Sequence, residues 1–499
     1  MLLNWQYSDR STSLSGVSVI LSLIFANVGD DRSIGPGRNA SLYSTWRIAI
    51  LFGRGYKRVS GSIPDYSGAF LGGSMGRDSG RPLVAVVYDL GAADALEIIG
   101  SARRVCDLLF VCDSGGPDGG FLADRLPQLR DYAEVCDITG MTAAQAADAV
   151  AAARPDGIVT FSERRLPVTA MLAQACGLPY HSPELVALLT DKQAQRDALR
   201  VAGVDDVRCH RISLSDNDFD LDAVLAEVGL PAIVKPRTGG AASRDTYRVR
   251  TRADVLAALH AHPDDEFVIE QLLVGDPSVA GPSWGRRVSV ESFVVDGTVV
   301  PVGITGKFLL AEPFRETGQF APATVSAPMA ARIEQLTAAA IGALGVRWGA
   351  THTELKLTAQ GPRVIEVNGR LGGNLADMFR RGAGFDVVGA VLEVALGRMP
   401  RQRPKSAARV VYQRYLAPPM RVTTVQELRG LDVVRGLPGV QRVEARIGPG
   451  AAVDWRRGTE ECLAVVYGSA EDHDELRARV DAIDTAFDPV YADFEESAR

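Results

Sequence analysis

GATHTELKLTAQGPRVIEVNGRLGG, residues 349–373, carries the most informative pattern in the chain. Residues 352–357 alternate polar and less polar side chains, as a half-buried strand does, and residues 363–367 have the composition of a returning strand. Residues 359–362 carry the turn signal between them. The pattern therefore predicts a β-hairpin centred on Gln360.

That hairpin would bring acidic and amide side chains together. It places Glu354 opposite Glu366 and His352 opposite Asn368, and opposed Cβ atoms are only about 5 Å apart. Two carboxylates and an amide oxygen this close repel one another unless a cation lies between them. Hard oxygen ligands select Mg²⁺ or Mn²⁺, so we predict a metal site; a solvated surface hairpin is the alternative. Because side chains alternate along a strand, the predicted face comprises His352, Glu354, Lys356, Glu366, Asn368 and Arg370.

Length and composition are those of a globular protein. The 499 residues correspond to about three domains, and 46% hydrophobic with 23% charged residues is ordinary. A net charge of −7 shows no nucleic-acid footprint. The six cysteines form no C-x-x-C pair. We therefore expect buried thiols in a reducing cytoplasm, rather than disulfides or a zinc site.

Residues 1–80 differ from the rest in being rich in Ser, Gly and Arg. The apolar run Val17–Val28, of about 12 residues, is too short to span a bilayer. It could serve as the core of a signal peptide, but no clear small-x-small cleavage site follows. We expect either a disordered extension or translated sequence upstream of the true start, with Met75 as the initiator.

Residues 81–187 alternate strands and helices. The apolar strands favour a parallel sheet covered on both faces, as in a Rossmann-like domain. The ends of the strands at Asp89, Asp113, Ser162 and Glu163 point toward a cleft, the usual ligand side of such sheets. No G-x-G-x-x-G follows the first strand, so a dinucleotide site is not supported.

Residues 188–400 carry a candidate phosphate site. A helix is predicted over Leu189–Val201, and the strand Ala232–Pro236 contains Lys235 and runs into the small-residue loop Arg237–Ser243. Small residues let backbone N–H groups approach a phosphate, and the lysine supplies charge. The loop lacks the G-K-[ST] of a Walker motif. Further along, Phe314–Thr324 is predicted to be an irregular loop.

Residues 401–499 are predicted to form a smaller α/β subdomain. The pattern predicts a helix over Val422–Gly430, flanked by strands. No chemistry is concentrated in this part of the chain. Its role as a lid, a dimer contact or a substrate wall is therefore left open.

The order of these motifs resembles that of the ATP-grasp superfamily over roughly residues 82–400. Within it, T-H-T-E-L-K-L followed by I-E-V-N-G-R is most similar to the L-amino acid ligases, which make dipeptides, as the bacilysin-type ligase does. VGITGKF and FRETGQFAPA resemble the substrate loop of those enzymes. Arg244 and Asp245 depart from the family, which often has Gly-Val there. The resemblance implies an ATP-grasp fold with an N-terminal Rossmann-like domain (81–187), an ATP-grasp domain (188–400) and a C-terminal α/β subdomain (401–499).

The resemblance also implies roles for individual residues. Glu354 and Glu366 would bridge two Mg²⁺ ions with Asn368 as a further ligand. Arg370 would hold the transferring phosphate or the acyl-phosphate, and Lys307 the γ-phosphate or the substrate carboxylate. For the nucleotide, the resemblance implies that Lys192 and Lys235 bind the α- and β-phosphates, together with the loop residues Thr238, Gly239, Gly240 and Ser243. Gln271 and Leu273 would contact the adenine with Glu270 nearby, and Asp276 would contact the ribose. Glu316 and His352 would contact a substrate amine.

The function that the resemblance implies is that of an ADP-forming carboxylate–amine ligase using ATP and Mg²⁺. Its substrates would be an amino acid or peptide and an amine, joined through an acyl-phosphate. We expect neither nucleic acid nor membrane as a partner, and a homodimer is common in the family. An ATP-grasp carboxylase that activates bicarbonate and a non-catalytic nucleotide-binding module are the alternatives.

Overall fold

The computed structural model describes residues 49–52, 55–58, 80–115, 119–215, 220–239, 241–405 and 409–492. The chain divides into two compact units, Met1–Asp78 and Ser79–Arg499. In the first unit, strands β1 (Ala49–Phe52) and β2 (Gly55–Arg58) pair antiparallel. The apolar run 17–28 and the proposed initiator Met75 lie outside the described residues. All that follows concerns the second unit.

The first sheet of this unit has four parallel strands, β3 (Leu83–Val87), β4 (Asp107–Cys112), β5 (Glu134–Asp137) and β6 (Gly157–Val159). They lie in the order β5-β4-β3-β6. All residues of β3 are buried, as expected when helices cover both faces. The predicted parallel sheet is confirmed. Its helices are α1 (Ala95–Ala102), α2 (Gly119–Arg130), α3 (Ala143–Ala152) and α4 (Leu166–Cys176).

A single helix was predicted over Leu189–Val201, and this prediction is wrong. The structure has two helices, α5 (Pro183–Thr190) and α6 (Lys192–Val201). Asp191 separates them because its backbone is extended, and its carboxylate accepts hydrogen bonds from the N–H groups of Gln193 and Ala194. An aspartate is a favoured N-cap, so Lys192 stands at the first position of a new helix.

The second sheet is small and antiparallel. Its strands β7 (Cys209–Ile212), β8 (Ala232–Pro236), β9 (Tyr247–Val249) and β10 (Phe267–Gln271) lie in the order β7-β10-β8-β9. Helices α7 (Leu221–Val228) and α8 (Arg252–Ala261) contribute to its core. The sheet thus joins the lysine strand β8 directly to β10, the strand that carries Glu270.

Two predictions about the later part of the chain are wrong. Residues 314–324, predicted to be an irregular loop, contain strand β13 (Gly318–Ala321), and the region predicted to be the helix Val422–Gly430 contains strand β17 (Val425–Glu427).

The third sheet has eight strands and continues into the C-terminal part of the chain. The strands are β11 (Arg287–Val295), β12 (Thr298–Lys307), β13 (Gly318–Ala321), β14 (Gly349–Thr358), β15 (Gly361–Asn368), β16 (Val410–Leu416), β18 (Val440–Ala445) and β19 (Ala464–Ala470), in the order β15-β14-β11-β12-β13-β16-β19-β18, with β17 (Val425–Glu427) and β20 (Val490–Tyr491) paired apart. The remaining helices are α9 (Pro277–Ala280), α10 (Ala327–Ala343), α11 (Leu375–Ala383), α12 (Val387–Ala395), α13 (Leu431–Arg435) and α14 (His473–Ala486).

Each of these two corrections has a physical reason. β13 is held between β12 and β16, so it owes its conformation to distant partners that a local pattern does not display. β17 likewise pairs with β20, which lies far along the chain. Tertiary pairing of this kind overrides local propensity.

All six cysteines are free thiols, as predicted. Burial was also predicted, and it holds for four of them but not for Cys136 and Cys176, which are only half-buried. No helix in the described part of the chain is long and apolar enough to cross a membrane.

The hairpin β14–β15 forms with the predicted cross-strand pairs but with a different turn. Thr358 pairs with Gly361, so the turn is tighter than one centred on Gln360. A bulge at Ile365 shifts the register by one residue, and beyond it Glu354 faces Glu366, while His352 faces Asn368. A one-residue slip reverses the face of every side chain. The bulge is therefore what brings the two glutamates to the same face.

The open end of the hairpin is closed by His181. Its buried ring donates from Nε2 to the carbonyl of Gly369 over 2.9 Å. A Cβ added at Gly349 or Gly369 would lie 3.1 or 3.0 Å from this ring, so the ring fits only between two glycines. Burial lowers the pKa of His181 to about 4, and the bond to Gly369 partly opposes this shift.

We predict that His181 makes stability depend on pH. The unfolded imidazole takes up a proton near pH 6.5, whereas the folded one does so only near pH 4. Its contribution is therefore complete above pH 6.5 and falls by about 1.4 kcal/mol per pH unit as the pH drops toward 4. The melting temperature of the wild type should fall more steeply between pH 6.5 and 4.5 than that of His181→Gln, which keeps a donor but does not titrate. Parallel curves would contradict this.

Candidate active site

The site is built around the two glutamates of the hairpin. Glu354 and Glu366 are directly opposed on the two strands. Asn368 lies beside them, and its Nδ2 donates to Glu366 Oε1 over 3.2 Å. In the described part of the chain, no group of three or more His, Cys, Asp or Glu side chains is arranged to hold a metal by itself. Two carboxylates and an amide oxygen nevertheless fit Mg²⁺, which usually takes one or two carboxylates and completes its shell with water and phosphate oxygens.

His352 is committed to two carboxylates. Its Nδ1 lies 2.5 Å from Glu291 Oε1 on the neighbouring strand, and its Nε2 lies 3.5 Å from Glu354 Oε1. Burial alone would lower the pKa of His352, but Glu291 and Glu354 raise it to about 9. Against the desolvation of Glu354, His352 in turn lowers the pKa of that carboxyl. We infer that His352 supports Glu354, and its predicted contact to a substrate amine stays a prediction.

Lys235 belongs to a buried charged triad. Its Nζ lies 2.9 Å from Glu270 Oε2, and Arg196 holds the same carboxylate from Nε at 3.1 Å. Desolvation would raise the pKa of Glu270, but Arg196 and Lys235 together hold it at about 2. Glu270 is therefore a fixed anion that places the lysine, rather than a proton donor or acceptor.

Arg196 also binds the bulge at Ile365 in the hairpin β14–β15. It donates to the carbonyls of Val364 and Ile365 over 2.6 and 2.8 Å. Strand β15 is the edge of its sheet, so these carbonyls would otherwise lack partners. Other side chains complete this closure of the edge: Gln195 both donates to and accepts from the backbone of Val367, and Asp205 accepts from the N–H of Val364.

Lys192 lies at the junction of helix α6 and the phosphate loop, which we define as Arg237–Ser243. Its backbone N–H donates to Arg237 O, and its Nζ donates to Gly239 O over 2.8 Å. Burial lowers the pKa of Lys192, while the nearby Glu366 acts in the opposite direction. Lys192, Glu270 and Glu366 line the same crevice. The structure thus brings the candidate phosphate ligands close to the hairpin β14–β15.

The remaining loop residues have different surroundings. Thr238 is exposed and forms an isolated bridge with Asp191. Gly239 and Ser243 adopt left-handed backbone conformations, with φ of 65° and 63°. Gly240 lies outside the described residues.

The predicted adenine and ribose contacts lie at the end of β10. Gln271 is the last residue of that strand, and Leu273 follows it, half-buried. Asp276 caps helix α9: its Oδ1 accepts from the N–H and hydroxyl of Ser278 over 2.8 and 2.7 Å. These bonds engage only Oδ1 of the carboxylate, so the assignment of Asp276 to the ribose stays a prediction.

Arg370 and Lys307 are the two cations predicted for phosphate transfer. Arg370 lies 2.8 Å from Glu163, at the end of β6 in the first sheet. The buried Lys307 donates to Gln319 over 2.9 Å and lies 3.7 Å from Glu316. These groups are therefore held in place by fixed partners.

Sequence reasoning missed Arg287, which opens strand β11. Its side chain is 9% exposed and lies 2.8 Å from Glu316 and 3.8 Å from Glu354. Its Nε has no hydrogen-bond partner in the described structure. Glu316 thus faces two cations rather than open space, and Arg287 adds positive charge beside the metal ligands. The signal for Arg287 was its place on the strand next to Glu354, which only the sheet order reveals.

The family comparison agrees with this geometry. The family model described as "ATP-grasp domain" matches residues 228–377. A D-alanine–D-alanine ligase of Cupriavidus pinatubonensis is 29% identical over 237 residues, covering 45% of this chain and 68% of that one. The alanine–anticapsin ligase of Bacillus subtilis is 25% identical over 256 residues, covering 48% and 53%.

Solved structures share the fold over a longer range. The L-amino acid ligase from Bacillus licheniformis superposes with a TM-score of 0.63 at 22% identity, covering 83% of this chain and 99% of that one. The N5-carboxyaminoimidazole ribonucleotide synthetase from Thermotoga maritima gives 0.59 at 14%, covering 82% and 100%.

Residues 228–377 thus match an ATP-grasp domain, and the fold is shared with solved ligase structures. The chain is similar to the L-amino acid ligases, so the predicted resemblance and the predicted fold class are confirmed.

We predict that Arg196→Lys weakens MgATP binding by about tenfold or more. A lysine keeps the charge but cannot reach both Glu270 and the bulge carbonyls, and one lost charge-assisted hydrogen bond is worth at least about 1.4 kcal/mol. Calorimetric titration of the protein with MgATP measures the change. The control is Arg200→Lys on the same helix, because Arg200 is exposed and, among the described residues, forms an ion pair with Asp197. Equal affinities for the two variants would contradict the prediction.

Proposed function

We propose that the protein is an ATP-dependent carboxylate–amine ligase that forms ADP and phosphate. The observation that carries the proposal is the opposed pair Glu354 and Glu366, beside which Lys192 lines the same crevice as Glu366. Joining a carboxylate to an amine in water is uphill, so the carboxylate must first be activated. The matched relatives named above are themselves ligases.

In this proposal the residues that bind ATP extend from the phosphate loop to the end of β10. Lys192, Lys235 and the phosphate loop hold the α- and β-phosphates, and the backbone at Gln271 and Leu273 meets the adenine. The carboxylates of Glu354 and Glu366, with the oxygen of Asn368, would hold two Mg²⁺ ions. When bound, these ions supply positive charge to the oxygens of the transferring phosphate.

The reaction proceeds in two steps. The substrate carboxylate attacks the γ-phosphate, and the products are an acyl-phosphate and ADP. The amine of the second substrate then attacks the acyl carbon, a C–N bond forms, and phosphate leaves. Arg370 and Lys307 stabilise negative charge in both steps as fixed cations rather than as acids or bases.

Two alternatives are distinguished by chemistry. A bicarbonate-activating carboxylase shares the fold, and at 14% identity that likeness shows the fold alone. A non-catalytic module would have no reason to keep Glu354, Glu366 and Asn368 together. The homodimer, the cytoplasmic location and the use of Mn²⁺ in place of Mg²⁺ stay predictions, as do the three domain boundaries within residues 81–499.

The test is an assay of purified protein with Mg²⁺, ATP and pairs of L-amino acids, with mass spectrometry of the products. We expect ADP release that requires an amino acid, together with a new dipeptide mass. Glu366→Gln should lower the rate at least about 100-fold, because losing a metal-ligand charge removes several kcal/mol of transition-state stabilisation.

The matched control is Glu334→Gln, the same chemical change on the exposed face of helix α10, which should keep the wild-type rate. Release of ADP that depends on bicarbonate instead of an amino acid would favour the carboxylase. Tight MgATP binding without turnover on any carboxylate or amine would contradict the ligase.

A further inference from the structure

The C-terminal part of the chain reaches the phosphate loop through one short segment. Residues Trp455–Glu461, here called the closing segment, form a 3₁₀ helix with a kink and pack on the turn Ala241–Ser243. Directly after that turn, the N–H of Asp245 donates to Arg456 O over 2.9 Å. The ring of Tyr247 meets Trp455 edge-on, with centroids 6.0 Å apart.

The contact brings two backbones together at Gly458. Its φ is +70°, and a Cβ added there would lie 2.1 Å from the carbonyl oxygen of Ala242 and 3.0 Å from the backbone nitrogen of Arg244. A separation of 2.1 Å is far inside van der Waals contact, so no side chain fits unless one backbone moves. Glycine at 458 is what lets the closing segment lie on the loop.

The loop beneath this contact is conformationally costly. Ala242, Ser243 and Asp245 all have positive φ, of 60°, 63° and 46°. Non-glycine residues keep such conformations only when surrounding contacts hold them. The closing segment supplies such contacts from a distant part of the chain.

The closing segment also holds the substrate loop, residues 314–324. Thr459, next to Gly458, accepts a hydrogen bond at Oγ1 from the N–H of Glu316 over 2.9 Å. Glu316 in turn lies 2.8 Å from Arg287 and 3.7 Å from Lys307. Neighbouring residues of one segment therefore contact the nucleotide side and the substrate side of the site.

We propose that the closing segment positions both loops over the reaction centre and so keeps water from the acyl-phosphate. Gly458 and Thr459 are positioning residues in this role, and the role rests on the ligase function proposed above. Water attacking the acyl carbon would return the carboxylate and release phosphate, so ADP would form without a C–N bond. Exclusion of water is what a closed site provides in such a reaction.

The first experiment compares Gly458→Ala with Gly450→Ala. Gly450 lies in the same part of the chain with φ of +83°, and a Cβ added there meets no heavy atom within 4 Å. Both variants therefore bear the strain of a left-handed alanine, but only Gly458→Ala strikes the phosphate loop. Two quantities are measured: the ADP formed per amide bond, and the affinity for MgADP by direct titration without turnover.

We expect Gly458→Ala to raise the ratio of ADP to amide at least about threefold and to weaken MgADP binding about fivefold, with Gly450→Ala close to the wild type. Equal values for the two variants in both measurements would overturn the proposal. Weaker binding with an unchanged ratio would overturn the exclusion of water.

The binding measurement separates this proposal from the ligase function itself. Should the wild type form no amide with any substrate, the ligase function fails, and weaker MgADP binding by Gly458→Ala alone still supports the positioning of the phosphate loop.

The second experiment guards against a folding defect in Gly458→Ala. Thr459→Val removes the hydroxyl at nearly constant volume, whereas Thr459→Ser keeps it. We expect Thr459→Val to raise the KM for the substrates while leaving the KM for ATP unchanged, and Thr459→Ser to restore the wild-type value. Identical substrate KM values in both variants would overturn the role of Thr459.

Discussion

The bulge at Ile365, held by Arg196, is the constraint on which the site depends. Without the extra residue, the tight turn would pair Glu354 with Ile365, and Glu366 would face the other side of the sheet. A bulge on an edge strand leaves carbonyl groups without ladder partners, and Arg196 binds two of them. Because the same guanidinium holds Glu270 beside Lys235, one buried cation positions both the glutamates proposed to hold metal and the lysine proposed to bind phosphate.

This arrangement explains why so many charges are buried at one place. An isolated buried carboxylate is strongly destabilising, but a buried charge with good partners is tolerated. Glu270 lies between Arg196 and Lys235, and His352 lies between Glu291 and Glu354. Each group is thereby fixed before any ligand binds. Phosphoryl transfer depends mainly on positioning and fixed charge, so the cost of assembling these charges is met by folding rather than by the substrates.

Much of this could be predicted from the sequence, and the limit is physical. The pairs Glu354–Glu366 and His352–Asn368 were predicted from alternation and a turn centred on Gln360, although the structure reaches them through a tighter turn and the bulge at Ile365. Strand β8 with Lys235 follows from a short apolar run. Arg196, Arg287 and Glu291 were not found, because each acts through a partner at least 60 residues away. Helix α6 was misread for the opposite reason: α5 and α6 are both helical, and only the extended backbone of Asp191 divides them.

The eight-stranded sheet gives these distant partners a common frame. Strands β16, β19 and β18 from the C-terminal part continue the sheet that carries Glu354 and Lys307. Three side chains on neighbouring strands form a chain of hydrogen bonds. Lys307 donates to Gln319 on β13 over 2.9 Å, and Gln319 donates to Gln413 on β16 over 3.1 Å. Lys307 is thus anchored in strands beyond the hairpin β14–β15. The C-terminal residues therefore contact the proposed site in two ways, through the strands that extend the sheet and through the closing segment.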